Sequence, residues 1–523
     1  MELDALIAAL ASPDTYLRPD RVEIRQTHMS VVFLVGDTVY KIRKPVDFGF
    51  VDFTTLEKRK RDCEDEVRLN RRLAPSVYRG VMPIVNENGI VRVDRPGEPI
   101  EWAVEMVRLP EEATLRERLK HGQVTLATVE SIARRIAEFH KPADRGESIA
   151  RFGQFEVVAG NSHENFVQTA NHVGITVRRG VYDRCREVTE QALSDLRDEI
   201  DSRASRGVPC DTHGDLHLSH IYWFPDRSPP DDLLIIDCIE FNERFRFADP
   251  IADMAFLTMD LIFYGRRDLA RSFANAYFEA ADDDEGRRLL AFYIAYRAIV
   301  RAKVEGMQLA EREVSVEQRE RMQQRAEAHW LLALGTLERP ERRPLLVLIG
   351  GLPGTGKSTL ARGLAKDGNF EIIRSDAVRK ELAGVPETHK AAGYYTSEWT
   401  ERTYSECLGR AVDRLRDGGR VIVDASFSEE GHRATFIESA QRLGVPAMFI
   451  ICRADPDLVR ERLYNRRGDV SDADWAVYEE MADRWERMSE ATERCAFDVD
   501  TSDLSVAITS VMARINQSRI DVN

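Results

Sequence analysis

Two unlike domains are predicted: an α+β domain with a small sheet lobe and a larger helical lobe, then an α/β domain on a doubly wound parallel sheet. Three observations carry this. The first hundred or so residues are rich in β patterns, with helical patterns dominating from about residue 112. Strand-like and helix-like segments alternate after residue 345, and a charged, proline-punctuated stretch, 337–344, lies between the two regimes. A chain of 523 residues is also too long for one ordinary core. The boundaries expected are therefore 1–336, a linker at 337–344, and 345–523.

In the first half, residues 31–35, 39–42 and 102–107 read as strands, and the apolar run 233–236 interrupts the helical stretch. In the second half the strands expected are 345–349, 370–373, 420–424, 447–452 and 497–500, each separated by a helical pattern. No internal repeat or low-complexity segment is present, so the halves are not copies of one another.

The most specific motif follows the first strand of the second half. Gly351, Leu352, Pro353, Gly354, Thr355, Gly356, Lys357 and Ser358, then Thr359, satisfy G-x-x-x-x-G-K-[ST], with an apolar strand before and a helix pattern after. The glycines let backbone N–H groups turn toward phosphate oxygens at a helix N-terminus whose dipole favours anions. Lys357 is expected to reach the β/γ-phosphates of ATP or GTP, and Ser358 to hold Mg²⁺.

Composition narrows the partners. Hydrophobic residues make up 43% and charged residues 31%, values of a soluble globular protein, and the net charge is −15. That balance argues against broad adhesion to nucleic acid or anionic membrane and favours a small-molecule substrate. The seven cysteines form no C-x-x-C pair, acids stand near the N-terminus where a signal peptide needs basic residues, and nowhere do eighteen apolar residues run uninterrupted. A cytoplasmic, unanchored protein is expected.

In the first half, His213-Gly214-Asp215-Leu216-His217-Leu218-Ser219-His220 is followed by the strand at 233–236 and then Asp237. Here the chain resembles the aminoglycoside phosphotransferase-like, protein-kinase-related small-molecule kinases, whose catalytic loop reads H-G-D-x-x-x-x-N before a metal-binding aspartate. The resemblance covers roughly residues 20 to 300. It implies that Asp215 receives the substrate hydroxyl proton and that Asp237 bridges metal and phosphates. It further implies that Lys41 grips the α/β-phosphates and that Glu66 is its helix-borne partner, with Glu64 as a rival. Met106 and Arg108 would lie in the interlobe hinge that meets the adenine. This chain departs at the loop asparagine, which is His220. A hard Mg²⁺ ion prefers oxygen to imidazole nitrogen, so His220 as a metal ligand implies slower transfer, another metal, or a nucleotide-binding pseudokinase. Asp249 and Asp253 are expected to brace the loop or cap a helix, and 161–165 to offer polar contacts to a substrate.

In the second half, Asp376 and Arg379 follow a strand where ligands of a doubly wound sheet collect. The layout resembles small phosphate-loop kinases of the gluconate kinase, zeta toxin and polynucleotide kinase type. By that resemblance Asp376 orients or deprotonates the acceptor hydroxyl, Arg379 holds an anionic part of the substrate, and Asp424 is a second acid near Mg²⁺ or an alternative base, with Ser426 beside it. Arg462 and Arg466, with Arg467, would belong to a mobile lid that meets the transferring phosphoryl group on closing. The combination resembles bacterial fused proteins and implies an ATP-dependent phosphotransferase with two nucleotide sites. The alternatives are one active kinase regulated by a nucleotide-sensing first half, and a nucleic-acid end kinase, against which the acidic balance counts.

Overall fold

A computed structural model describes residues 1–17, 20–49, 51–310, 314–386, 394, 396–465 and 474–517. The chain divides into two compact units. Residues 1–158, 197–260 and 268–287 form the first, and residues 159–196, 261–267 and 288–523 the second. The expected boundary at 337–344 thus lies within the second unit of this division.

The first unit is built on a six-stranded antiparallel sheet in the order β1-β2-β3-β6-β4-β5. Its strands are β1 (Val22–Gln26), β2 (Ser30–Val35), β3 (Thr38–Arg43), β4 (Tyr78–Glu87), β5 (Ile90–Val93) and β6 (Pro99–Val107). Alternation along β3 sends Tyr40 and Ile42 into one apolar core and leaves Lys41 and Arg43 together on the opposite face. The helix Leu56–Asn70 packs against β6 and β4. Thr55 caps it by accepting from the Lys58 N–H. Its inward face repeats at helical spacing but is polar: the acids Asp62 and Glu66 and the amide Asn70 are buried alongside Cys63 and Val67. Buried acids of this kind need cations, and the Lys41 and Arg43 face of β3 supplies them.

Two short ribbons follow in the first unit. One pairs β7 (Cys210–Asp211) with β10 (Phe247–Ala248), the other pairs β8 (Ile221–Trp223) with β9 (Leu233–Ile235) in antiparallel register, Ile221 opposite Ile235. That register brings His220 and Ile236 level, with the Ile236 N–H donating to the His220 carbonyl at 3.0 Å. The segments before β8 and after β9 therefore emerge at the same end of the hairpin.

The second unit holds a five-stranded sheet in the order β12-β13-β11-β14-β15, every neighbouring pair parallel. The strands are β11 (Leu345–Gly350), β12 (Glu371–Arg374), β13 (Arg420–Asp424), β14 (Ala447–Arg453) and β15 (Ala496–Asp500). Every residue of the central β11 and of β13 is buried, whereas the edge strands β12 and β15 show mixed exposure. Helices Lys357–Gly368 and Leu504–Gln517 share one core with β11 through Leu360, Leu364, Ala507 and Val511. Helices Ser397–Arg416 and Glu430–Arg442 pack against β13 and β14 respectively.

Candidate functional site

In the first unit the β8–β9 hairpin and the β3 face converge on one carboxylate. Lys41 Nζ donates to Glu66 Oε1 at 2.9 Å and to Asp237 Oδ1 at 3.1 Å. Burial opposes the charge on Lys41, but Asp237 and Glu66 outweigh it and keep the ammonium protonated. Lys41 in turn holds the Asp237 carboxyl well below the usual carboxylate range. Glu64, the rival partner, pairs along its own helix with Lys60 and is 56% exposed. Asp237 itself sits at φ 61, a left-handed conformation uncommon for a residue with a side chain, of the kind that clusters at functional sites. Its N–H donates to Tyr78 Oη at 3.3 Å, and the next N–H, of Cys238, to Asn70 Oδ1 at 2.9 Å.

The loop that carries Asp215 is held from beneath. Asp253 accepts from the N–H groups of His213 and Gly214 at 3.0 and 2.9 Å, and His140 Nε2 lies 3.1 Å from it. Gly214 has φ +85, and a Cβ there would meet the Phe245 carbonyl oxygen at 2.9 Å, so only glycine makes this turn without strain. Asp249 accepts from the Ile251 N–H at 2.9 Å as a helix cap and pairs with buried Arg203 at 2.7 Å. His220 Nδ1 lies 3.0 Å from the Asp215 carbonyl oxygen and 3.5 Å from its Oδ2, while Nε2 faces Asp237 Oδ2 at 3.6 Å. His217 Nε2 is 3.6 Å from Asp215 Oδ2, and the His217 and His220 rings lie 3.8 Å apart. Burial, then His217, pushes the His220 imidazole down to about 4, which leaves it neutral near pH 7.

Arg43 is the residue that sequence reasoning overlooked in this unit. It bonds Asp62 and Glu240, donates to Glu66 Oε2 at 2.6 Å and to Ser30 Oγ at 3.1 Å, and so ties β3, the 56–70 helix and the segment after Asp237 together. Its signal was available: position 43 shares a strand face with Lys41. Met106 pairs across β6 with Val39 and Tyr78. The Arg108 N–H is engaged by the Asp37 carbonyl at 2.9 Å, and its guanidinium reaches Glu23 at 3.2 Å. Residues 161–165 lie in the helix Phe155–Thr169, where Lys303 donates to Asn165 at 2.7 Å within the second unit.

In the second unit the phosphate loop runs from the end of β11 into the helix at Lys357. Gly351, Gly354 and Gly356 have φ of 136, 78 and 85, backbone conformations that glycine adopts without strain and that a phosphate-binding turn uses. A Cβ on Gly351 would meet the Cys452 carbonyl oxygen at 2.7 Å. Lys357 Nζ donates to the Leu352 carbonyl at 2.9 Å, an arch over the loop. Asp424, at the end of β13, is buried, and burial raises its pKa against the opposing pull of Ser358 and Lys357. Ser358, Lys357 and Asp424 therefore share one spot at the C-terminal edge of the sheet. Asp376 opens the helix Ser375–Leu382 and lies close enough to add to the Asp424 shift, with Arg379, 8% exposed, 3.5 Å from it. The Ser426 carbonyl accepts from the Gly351 N–H at 3.1 Å.

Arg462, on the helix Pro456–Tyr464, donates to the Thr501 carbonyl at 2.9 Å, and its Nη1 stands 3.6 Å from where a Gly356 Cβ would be. It is thus beside the phosphate loop. Arg466 and Arg467 lie outside the described residues. Sequence reasoning missed Arg374, the last residue of β12, whose guanidinium is 3.5 Å from both Ser358 Oγ and Asp424 Oδ2. Its place at a strand's C-terminal end beside the loop was the available signal.

The donors fit the groups expected. Ser358 and Asp424 offer oxygen to a hard cation, and the glycine-lined turn leaves space that any side chain would fill. At the first site Lys41 and Asp237 suit a polyphosphate and its ion, and His220 adds a nitrogen.

The family model of an AAA domain (AAA_33) matches residues 346–488. Relatives from Mycobacterium tuberculosis and Mycobacterium bovis, each described as an uncharacterized protein, are 33% identical over 473 residues, which is 88% of this chain and 90% of theirs. Among solved structures, a gluconokinase from Sinorhizobium meliloti is similar over 34% of this chain and 94% of its own, at 20% identity and a TM-score of 0.26. A choline/ethanolamine kinase family protein from Mesorhizobium loti is similar over 65% of this chain and 96% of its own, at 15% identity and a TM-score of 0.38. Among the described residues no helix is long and apolar enough to cross a membrane.

Proposed function

From the premise that this chain belongs to one family with those mycobacterial proteins, which it matches along nine-tenths of their length, we propose an ATP-dependent phosphotransferase with two nucleotide sites. Its acceptors are hydroxyl groups of small metabolites. The observation that carries the reading is the meeting of Lys357, Ser358 and Asp424 beside a loop whose three glycines all hold positive φ. Bound Mg·ATP supplies the transferable phosphoryl group and screens its oxygens. The chain's own residues position and polarise: Lys357 and the loop amides hold the phosphate tail, and Ser358 with Asp424 offers oxygen to the cation. Asp376 orients or deprotonates the acceptor hydroxyl, Arg379 fixes an anionic part of the acceptor, and Arg462 faces the developing charge. At the first site Lys41 and Asp237 do the holding, and Asp215, kept in place by the Asp253-braced loop, takes the hydroxyl proton.

The test is product formation from γ-labelled ATP across a metabolite pool, on wild type, Lys357→Ala and Asp215→Asn. Transfer to a compound whose mass identifies an alcohol acceptor is expected, with the product lost in one variant or the other according to the site that makes it. Turnover that persists with both residues replaced would sink the reading. His220 favours a second one, in which the first site senses nucleotide and only the second transfers; total turnover untouched by Asp215→Asn would select it.

A further inference from the structure

Resting on the two-site reading, we propose that the metal of the first site is a divalent transition ion bound by imidazole nitrogen, Mn²⁺ or Zn²⁺, with His220 Nε2 and Asp237 Oδ2 as its protein ligands. A carbonyl oxygen only accepts, so the 3.0 Å contact between His220 Nδ1 and the Asp215 carbonyl requires a proton on Nδ1. In the neutral ring the lone pair is then on Nε2, which lies 3.6 Å from Asp237 Oδ2. Two acceptors face each other across a gap that one ion bonded at about 2.1 Å to each would span. The Nδ1–H bond to a backbone carbonyl is also the arrangement that fixes a ligating imidazole in orientation and raises its basicity.

The neighbouring histidine is not the ligand. The Ser219 N–H approaches His217 Nδ1 at 3.3 Å, which places the proton of His217 on Nε2, toward Asp215. His217 thus turns its Nε2–H to the Asp215 side at 3.6 Å, while His220 and Asp237 bind the ion, although Asp215, His217 and His220 all offer atoms within 4.8 Å of one another. Mg²⁺ demands oxygen and is a poor occupant of a nitrogen position, whereas imidazole suits Zn²⁺ and is accepted more readily by Mn²⁺, at the weak end of the transition series, than by Mg²⁺. The second site, with Ser358 and Asp424 oxygens, keeps its preference for Mg²⁺.

Electron spin-echo envelope modulation of Mn²⁺ on the tag-free full chain, with inorganic tripolyphosphate as the anion so that no adenine nitrogen is present, tests this. Nitrogen-14 modulation is expected in wild type and in Lys357→Ala and His217→Ala, and its loss in His220→Asn, together with a fall of roughly tenfold in the preference of the first site for Mn²⁺ over Mg²⁺. No modulation in wild type, modulation that survives His220→Asn, or loss in His217→Ala overturns the ligand assignment; the wild-type spectrum decides alone should the His220 variant not fold. Two Mn²⁺ per chain without a nitrogen signal would leave the two-site reading standing and remove only the histidine ligand. One Mn²⁺ per chain, unaltered by Lys41→Ala, would remove both.

Discussion

The His220 ring, 17% exposed, is held neutral, and that has a consequence for stability as well as for binding. Its pKa falls to about 4 in the folded chain against 6.5 for the free side chain. Between those values the unfolded chain binds more protons, so stability is fully present above about pH 6.5 and is lost as pH falls through about 4. The effect expected is a loss of about 2 kcal/mol between pH 7.5 and 4.5 in wild type that is missing from His220→Asn, read from the urea transition of the first unit. Parallel loss in both proteins would mean that the neutral ring is not what the fold selects. At this scale the sequence was legible where a motif or the family resemblance singled a residue out, as it did Lys41, Glu66, Asp215, Asp237 and Lys357; the structure sets Lys41 against Glu66 and Asp237, His220 against the Asp215 carbonyl, and Lys357 against the Leu352 carbonyl. Arg43 and Arg374 were not, because an arginine on a strand reads as a solvated charge until the partner strand or helix is known.

For elements, what matters is how close the phosphate loop lies to the helix that carries Arg462. Gly354 has φ +78, and a Cβ there would stand 2.9 Å from Val459 Cγ1 and 3.0 Å from Leu463 Cγ, both on the Pro456–Tyr464 helix. Gly354→Ala therefore meets two costs, a left-handed backbone of roughly 1–2 kcal/mol and a displaced helix. The expected result is a lower melting temperature and a several-fold loss of nucleotide affinity at the second site. Gly409→Ala, in the helix Ser397–Arg416 with nothing near its Cβ, is the comparison and gains about 0.5–1 kcal/mol. Equal behaviour of the two variants by calorimetry would remove the argument for close approach. Strand legibility followed burial in the same way. β11, β13 and β14 belong to a parallel sheet and read as unbroken apolar runs, whereas β1, mostly exposed, and β4, irregular in burial and broken by register shifts, left no alternation to read.

Across the whole chain, local pattern separates sheet types but not packing allegiance. Helical stretches at 159–196 and 288–336 look like continuations of the first half, yet they pack as parts of the second unit, because amphipathic periodicity says that a face is buried and not against what. Net charge is a property of the same scale. A net charge of −15 disfavours polyanions in general; on the two-site function proposed above, a triphosphate binds at Lys41 and Lys357, and an extended phosphate backbone, for which the sequence offers no continuous basic track, does not compete. Equilibrium dialysis with a non-hydrolysable triphosphate is thus expected to give two nucleotides per chain, one after Lys41→Ala, one after Lys357→Ala and none after both. A single-stranded oligonucleotide at moderate salt should displace neither nucleotide. Displacement that weakens steeply as salt is raised would instead reveal a phosphate-backbone track and turn the second site toward nucleic-acid ends.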